Sequence, residues 1–195
     1  MKVEPILNQI LAESSLSRVW NHTNNDDTFG IISAFKLDNY WVENIILHSN
    51  LKKEIKSKGY GFIELDSGYS YLDNTNEEIS VRERSYFIPK ITFKDITELG
   101  KKYEQETIIF KDNEFFILVK PDGTIEKTFL KGNGYNFKPE NLKNAWSQFI
   151  RSKNKNAIKK FTFNVQERII PSRTDSYKML GENKGLAKVK YINLF

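Results

Sequence analysis

The stretch "SVRERSYFIPK" (residues 80–90) sets Arg82, Glu83, Arg84 and Ser85 against an aromatic and aliphatic run closed by Pro89. These residue types allow acid–base chemistry. A Glu83 removed from water would hold its proton to higher pH and act as an acid or base, whereas one paired with Arg82 or Arg84 would stay charged. The second arrangement is a surface ion pair worth ~0–1 kcal/mol, with Ser85 bonded to the turn. Three more polar residues stand in apolar surroundings: Ser33 in "TFGIISAF", Asn44 on the inward stripe of a helix, and Gln105 between a helix and a strand. A buried amide left unsatisfied costs about 1–3 kcal/mol, so each needs a partner, either a backbone carbonyl or a ligand. If these elements are neighbours, the residues form one polar cluster at an end of a sheet. Glu83 and Ser85 are then the catalytic candidates, and Ser33, Asn44, Arg84 and Gln105 the binding ones.

Other chemistries find less support. There is no cysteine, which excludes disulfides, thiolate zinc sites and thiol nucleophiles. His22 and His48 lack partners at metal-ligand spacing, so no metal and no cofactor are expected. The glycines of "KGNGYNF" lack the third glycine and the parallel strand of a dinucleotide site, and no phosphate-binding GxxxxGK[ST] occurs. Nothing marks a serine on a strained elbow, which argues against a nucleophilic triad.

The elements that would position the candidates follow from periodicity and punctuation. Residues 5–20 have helical spacing, "NHTNNDD" (21–27) is polar loop, and 28–35 is a buried strand. A helix capped by Asp38 or Asn39 carries an inward stripe of Tyr40, Asn44, Leu47, Leu51 and Ile55 and stops at Gly59. Strands are expected over 60–72 and 85–89, a second helix behind Thr92 over 92–103, and a three-stranded meander across the Asp112-Asn113 and Pro121-Asp122-Gly123 turns. "PENLKNAWSQFIRSK" reads as a third helix with Leu142, Ala145, Trp146 and Phe149 on one face, and 159–170 as a last strand. The order predicts an α+β fold: an antiparallel or mixed sheet of about five to seven strands with two or three helices packed on it, plus a basic C-terminal arm.

A chain of 195 residues with 39% apolar composition supplies one good core. We divide it into a core domain (1–137), a helix-and-strand extension (138–165) and a basic, aromatic tail (166–195). Residues 138–195 hold 13 Lys or Arg against 4 Asp or Glu, net +9, which leaves −4 for residues 1–137 of the overall +5. Such segregation points to an acidic partner. Arg151, Lys153, Lys159, Lys160, Arg168, Arg173, Lys188, Lys190, Tyr191 and Phe195 are the candidate docking residues. A membrane partner is not expected, since no apolar run reaches the roughly 18 residues of a membrane helix. Glu4, Pro5 and Glu13 argue against a signal peptide, so the expected location is not secretory.

Taken together, "SLSRVW", "GIISAF", "KGYGFIELDSGY", "ERSYFIPKI" and "LGKKYEQETIIFKD" resemble small proteins of tailed bacteriophages, including the crAss-like phages of gut Bacteroidetes, and more distantly the bacterial DUF3293 domain. The resemblance covers about residues 14–120. It implies a phage or mobile-element origin, a virion or host-cytoplasm location and an unassigned activity, with Ser33, Asn44, Glu83, Ser85 and Gln105 matching the family pattern. The leading expectation is a non-enzymatic structural or accessory virion protein whose basic arm docks on other phage proteins or an acidic protein surface. The alternatives are an enzyme acting on nucleic acid or nucleotide with Glu83 as acid or base, and a nucleic-acid-binding protein. Convergence of the polar candidates in a concave pocket separates the enzyme from the rest.

Overall fold

Apolar runs that alternate with polar residues and are broken by short turns fold as antiparallel strands. In the computed structural model, nine of them make one sheet: β1 (Phe29–Ser33), β2 (Ile63–Leu72), β3 (Glu78–Pro89), β4 (Ile108–Asp112), β5 (Phe115–Val119), β6 (Ile125–Asn136), β7 (Ala145–Phe149), β8 (Thr162–Glu167) and β9 (Lys190–Leu194). The structure describes residues 18–19, 21–25, 27–72, 75–112, 115–136, 145–149, 160–167 and 190–194. The strand order is β7-β2-β3-β1-β4-β5-β6-β8-β9, and each described pairing is antiparallel.

The sheet does not stay open. Ser147 of β7 and Phe161, just before β8, exchange two backbone hydrogen bonds of 2.8 Å each. That bridge joins β7 to the far edge of β8, an edge β9 also uses further along, and so closes the sheet into a barrel. Closure satisfies edge groups that would otherwise template aggregation.

Barrel closure makes one sheet face an interior. One half of it is packed with Phe29, Phe87, Phe116, Phe129, Phe161 and Phe163, all buried. Phe29 lies 4.5 Å from Phe87 and 5.5 Å from Phe116 between ring centres. Burying each ring contributes roughly 1.5–3 kcal/mol. That end is stoppered by a helical turn at residues 21–24, preceded by the buried Val19. Thr23 Oγ1 donates to the Val19 carbonyl at 2.7 Å. Lys111 Nζ donates to the carbonyls of Asn25 and Asp27, and Lys131 Nζ to that of Asn24, which satisfies oxygens a helix end leaves unpaired.

Two helices cover the outer face. α1 (Trp41–Ser57) turns Asn44, His48, Leu51 and Ile55 inward, and it ends as the sequence predicts: Gly59 at φ +83° lets its own N–H reach Lys56 O and the Tyr60 N–H reach Ile55 O. α2 (Phe93–Lys102) begins at Thr92, whose hydroxyl accepts from the Asp95 N–H at 3.1 Å, and buries Ile96, Leu99 and Gly100. Ile96 rests on Gly30 of β1, where a Cβ would come within 2.0 Å of its Cδ1.

The α+β class is as expected, with corrections. The predicted third helix is wrong at residues 145–149, which form β7. Ala145, Trp146 and Phe149 fit a helical period, but a five-residue run fits a strand equally, and the free edge of β2 decides it. Part of the expected tail also belongs to the sheet, because Lys190–Leu194 pairs with β8. With these two segments the strand count is nine, above the expected five to seven, and β7 and β8 are walls of the same barrel as the core domain. Residues 21–24 are helical rather than loop. Tyr40 is exposed at the helix N-cap, and His48 is buried on the stripe where Leu47 was expected, Leu47 itself being half-buried.

Candidate functional site

The aromatic packing stops halfway along the barrel. Beyond it the interior positions become serines, and a cavity of about 530 Å³ opens at the mouth opposite the helical stopper. Ser67 and Tyr69 of β2, Glu83 and Ser85 of β3 and Ser33 of β1 line it, with Thr107 and Ile109 on the β4 side. Register fixes this grouping. Ser67 pairs across from Glu83, and Ser33 across from Ser85. The buried hydroxyls form a chain, Ser67 Oγ lying 3.0 Å from Ser147 Oγ and 3.4 Å from Ser85 Oγ. Ser33 Oγ donates to the Arg84 carbonyl at 2.9 Å and accepts from the Phe35 N–H at 3.0 Å.

Glu83 is the carboxyl among these strand residues. Loss of water around its carboxyl raises its pKa from the ordinary 4.5 to about 7, with the polar Ser33 side chain beside it pulling the other way. The pleat explains why neighbouring arginines do not reverse this. Successive side chains of a strand point to opposite faces, so Arg82 and Arg84 project outward while Glu83 and Ser85 project inward. Outside, Arg82 grips the buried Asp66 with two hydrogen bonds, of 3.0 and 2.7 Å, and Gln148 of β7 donates to the same carboxylate at 2.8 Å. Arg84 lies 5.7 Å from the Trp41 ring centre and 4.0 Å from Glu64. The ion-pair alternative for Glu83 is thereby excluded.

The rim comes from two loops. Residues 35–38 follow β1, and 104–106 join α2 to β4. Lys36 and Glu104 form an ion pair across it. Glu104 takes a left-handed conformation, φ +52°, where a glycine would sit unstrained; its N–H reaches Lys101 O and the Gln105 N–H reaches Gly100 O. Asn44 anchors the first loop from the helix side. Its Oδ1 accepts from the Lys36 N–H at 2.8 Å and its Nδ2 donates to the Lys36 carbonyl at 2.9 Å. Gln105 Nε2 donates to the carbonyls of Phe35 and Tyr103, which ties the two loops together.

Of the residues singled out in the sequence, Ser33, Glu83, Ser85 and Gln105 meet at this cavity. Asn44 stands behind it and shapes its rim, and Arg84 is on the outer face. The further lining residues Ser67, Tyr69 and Thr107 were missed. Ser67 and Tyr69 sit at alternate positions in "YGFIELDSGYSYL" with Leu65, and that period of two was the available signal. His48 is on the outer face, hydrogen-bonded to Glu64 at 3.0 Å and stacked on Tyr86 at 4.1 Å, so it forms no catalytic pair with the inward serines. Among the described residues no three His, Asp or Glu side chains gather as metal ligands do. No described helix is long and apolar enough to cross a membrane.

Of the arm residues, Lys160 is exposed, and Lys190 and Tyr191 lie in β9. Arg151, Lys153, Lys159, Arg168, Arg173, Lys188 and Phe195 fall outside the described residues. No protein-family model matches the chain, and no curated protein matches it significantly.

Proposed function

We propose that the barrel mouth is a small-molecule site in which Glu83 gains or loses a proton as the compound binds or reacts. One observation carries this: the strand pleat turns the Glu83 carboxyl into a hydroxyl-lined cavity and turns Arg82 and Arg84 out of it. A cavity of about 530 Å³ is of the size that holds metabolite-sized ligands, roughly 300–1,000 Å³. A carboxyl with pKa about 7 is populated in both states at neutral pH, which suits a general acid or base. The serine hydroxyls both donate and accept, so they follow either protonation state of Glu83 without moving backbone. The test is a fragment screen read by amide chemical shifts. Binders should perturb Ser33, Ser67, Ser85 and Thr107, and lose affinity in Glu83→Gln; binders that cluster elsewhere on the barrel contradict the proposal.

A second reading rests on the net +9 charge of residues 138–195. In it, a phage accessory protein docks on an acidic partner or nucleic acid through the arm, with the cations of residues 168–189 as contacts. Replacing Arg168, Arg173 and Lys188 with glutamine should then abolish incorporation into particles. Unchanged incorporation would remove this reading without touching the cavity.

A further inference from the structure

The charges around the cavity discriminate between ligands. From the loop after β1 come Lys36 and Asp38, and from the loop before β4 come Glu104 and Glu106. β2 presents Tyr69 and Ser67 toward Glu83, Thr107 stands just before β4, and β7 adds the Ser147 hydroxyl behind Ser67. Lys36 is the cation of this set among the described residues, and it is held by Glu104. Asp38, Glu83 and Glu106 therefore stand without a matching cation in the described lining, while the nearby arginines are on the outer face. A phosphate or carboxylate entering here meets like charge, from Glu83 inside the mouth and from the exposed Asp38 and Glu106 on its rim. This disfavours the nucleotide that the sequence alone left open.

Building on the reading of the cavity as the site of Glu83, we propose that the compound it takes is an organic cation, a primary or secondary amine, whose ammonium N–H groups are accepted by the Glu83 carboxylate and the inner serine hydroxyls. The match is chemical. An ammonium brings donors and no acceptors, the carboxylate brings acceptors only, and Ser67 and Ser85 can each turn a lone pair toward it. The charged complex carries one proton on the amine and none on Glu83. Because the free carboxyl is half-protonated near neutrality, an amine arriving as its ammonium form displaces the Glu83 proton to solvent. Affinity consequently rises with pH through about 7, while an alkylamine with an ordinary pKa near ~10 keeps its own charge.

The test uses the full chain with ¹³C-labelled Glu carboxyls and three kinds of probe at millimolar concentration: the amines agmatine, putrescine and tyramine, the anion AMP, and the neutral sugar glucose. At least one amine should shift the Glu83 carboxyl resonance saturably. Its affinity should fall by about tenfold or more in Glu83→Gln, read from amide shifts, and by about tenfold between pH 8 and pH 6. If AMP or glucose moves the Glu83 resonance and no amine does, the cation assignment is overturned and the cavity reading stands. Amine binding that Glu83→Gln leaves unchanged also overturns it. Silence from every probe counts against both.

Discussion

Replacing Glu83 with glutamine should stabilise the protein, and the gain should depend on pH. The side chain is nearly isosteric, so packing is preserved. What changes is the cost of ionising a carboxyl inside the barrel mouth. Its pKa rises from 4.5 in the unfolded chain to about 7 in the folded one. At ~1.4 kcal/mol per unit that gap amounts to about 3 kcal/mol, and water in the open cavity screens part of it, leaving ~1–3 kcal/mol. The sign follows from proton counting. Below about pH 4.5 both states of the wild type hold the proton and the two proteins should be equally stable. As pH rises toward about 7 the unfolded chain ionises first, so the wild type loses stability; above that the penalty is complete. Urea denaturation of both proteins from about pH 4 to about pH 8 reads the difference directly. An advantage for Glu83→Gln that grows from nil to ~1–3 kcal/mol supports the geometry. A difference that is flat with pH, or that favours the wild type at neutral pH, means the carboxyl is solvated and the reasoning fails.

Other features make separate predictions. Asp95 accepts from Lys58, Tyr60 and Thr92, which lowers its pKa to about 2. Asp95→Asn should therefore cost about 1 kcal/mol at neutral pH, after allowance for solvent screening, and the cost should vanish as pH falls from about 4 to about 2 in the wild type. Gly30→Ala places a methyl against Ile96 and should destabilise by about 1–3 kcal/mol in thermal or urea unfolding; a neutral result would mean α2 is not seated there. Ser147→Pro removes the N–H that bonds Phe161 and should cost ~3 kcal/mol or more, with loss of amide protection at Phe161; a mild effect would show the barrel is not closed at that bridge.

Much of this fold is written locally. α1 and α2 were readable because Gly59 and Thr92 punctuate them, and β4 to β6 because two turns separate apolar runs. Gly123 adopts φ +86°, as the second turn requires. β7 was unreadable because its apolar spacing satisfies two periods, and only the edge of β2, some eighty residues away in the chain, selects the strand. Barrel closure depends likewise on a pairing that no local pattern announces. At the site, Ser33, Glu83, Ser85 and Gln105 stood out as polar residues in apolar runs, and the cavity brings them together. Asn44 stood out for the same reason but serves the backbone of Lys36, because burial demands a partner without saying which one. The alternation of Arg82, Glu83 and Arg84 was visible throughout, and applying a period of two to it separates the carboxyl from its apparent partners.

The Glu83 carboxyl faces the inside of the barrel mouth rather than the arginines beside it in sequence. A ¹³C titration of the Glu83 carboxyl in the free protein measures that placement directly. A midpoint close to 7 is the predicted result, and a midpoint at or below the ordinary 4.5 would contradict it.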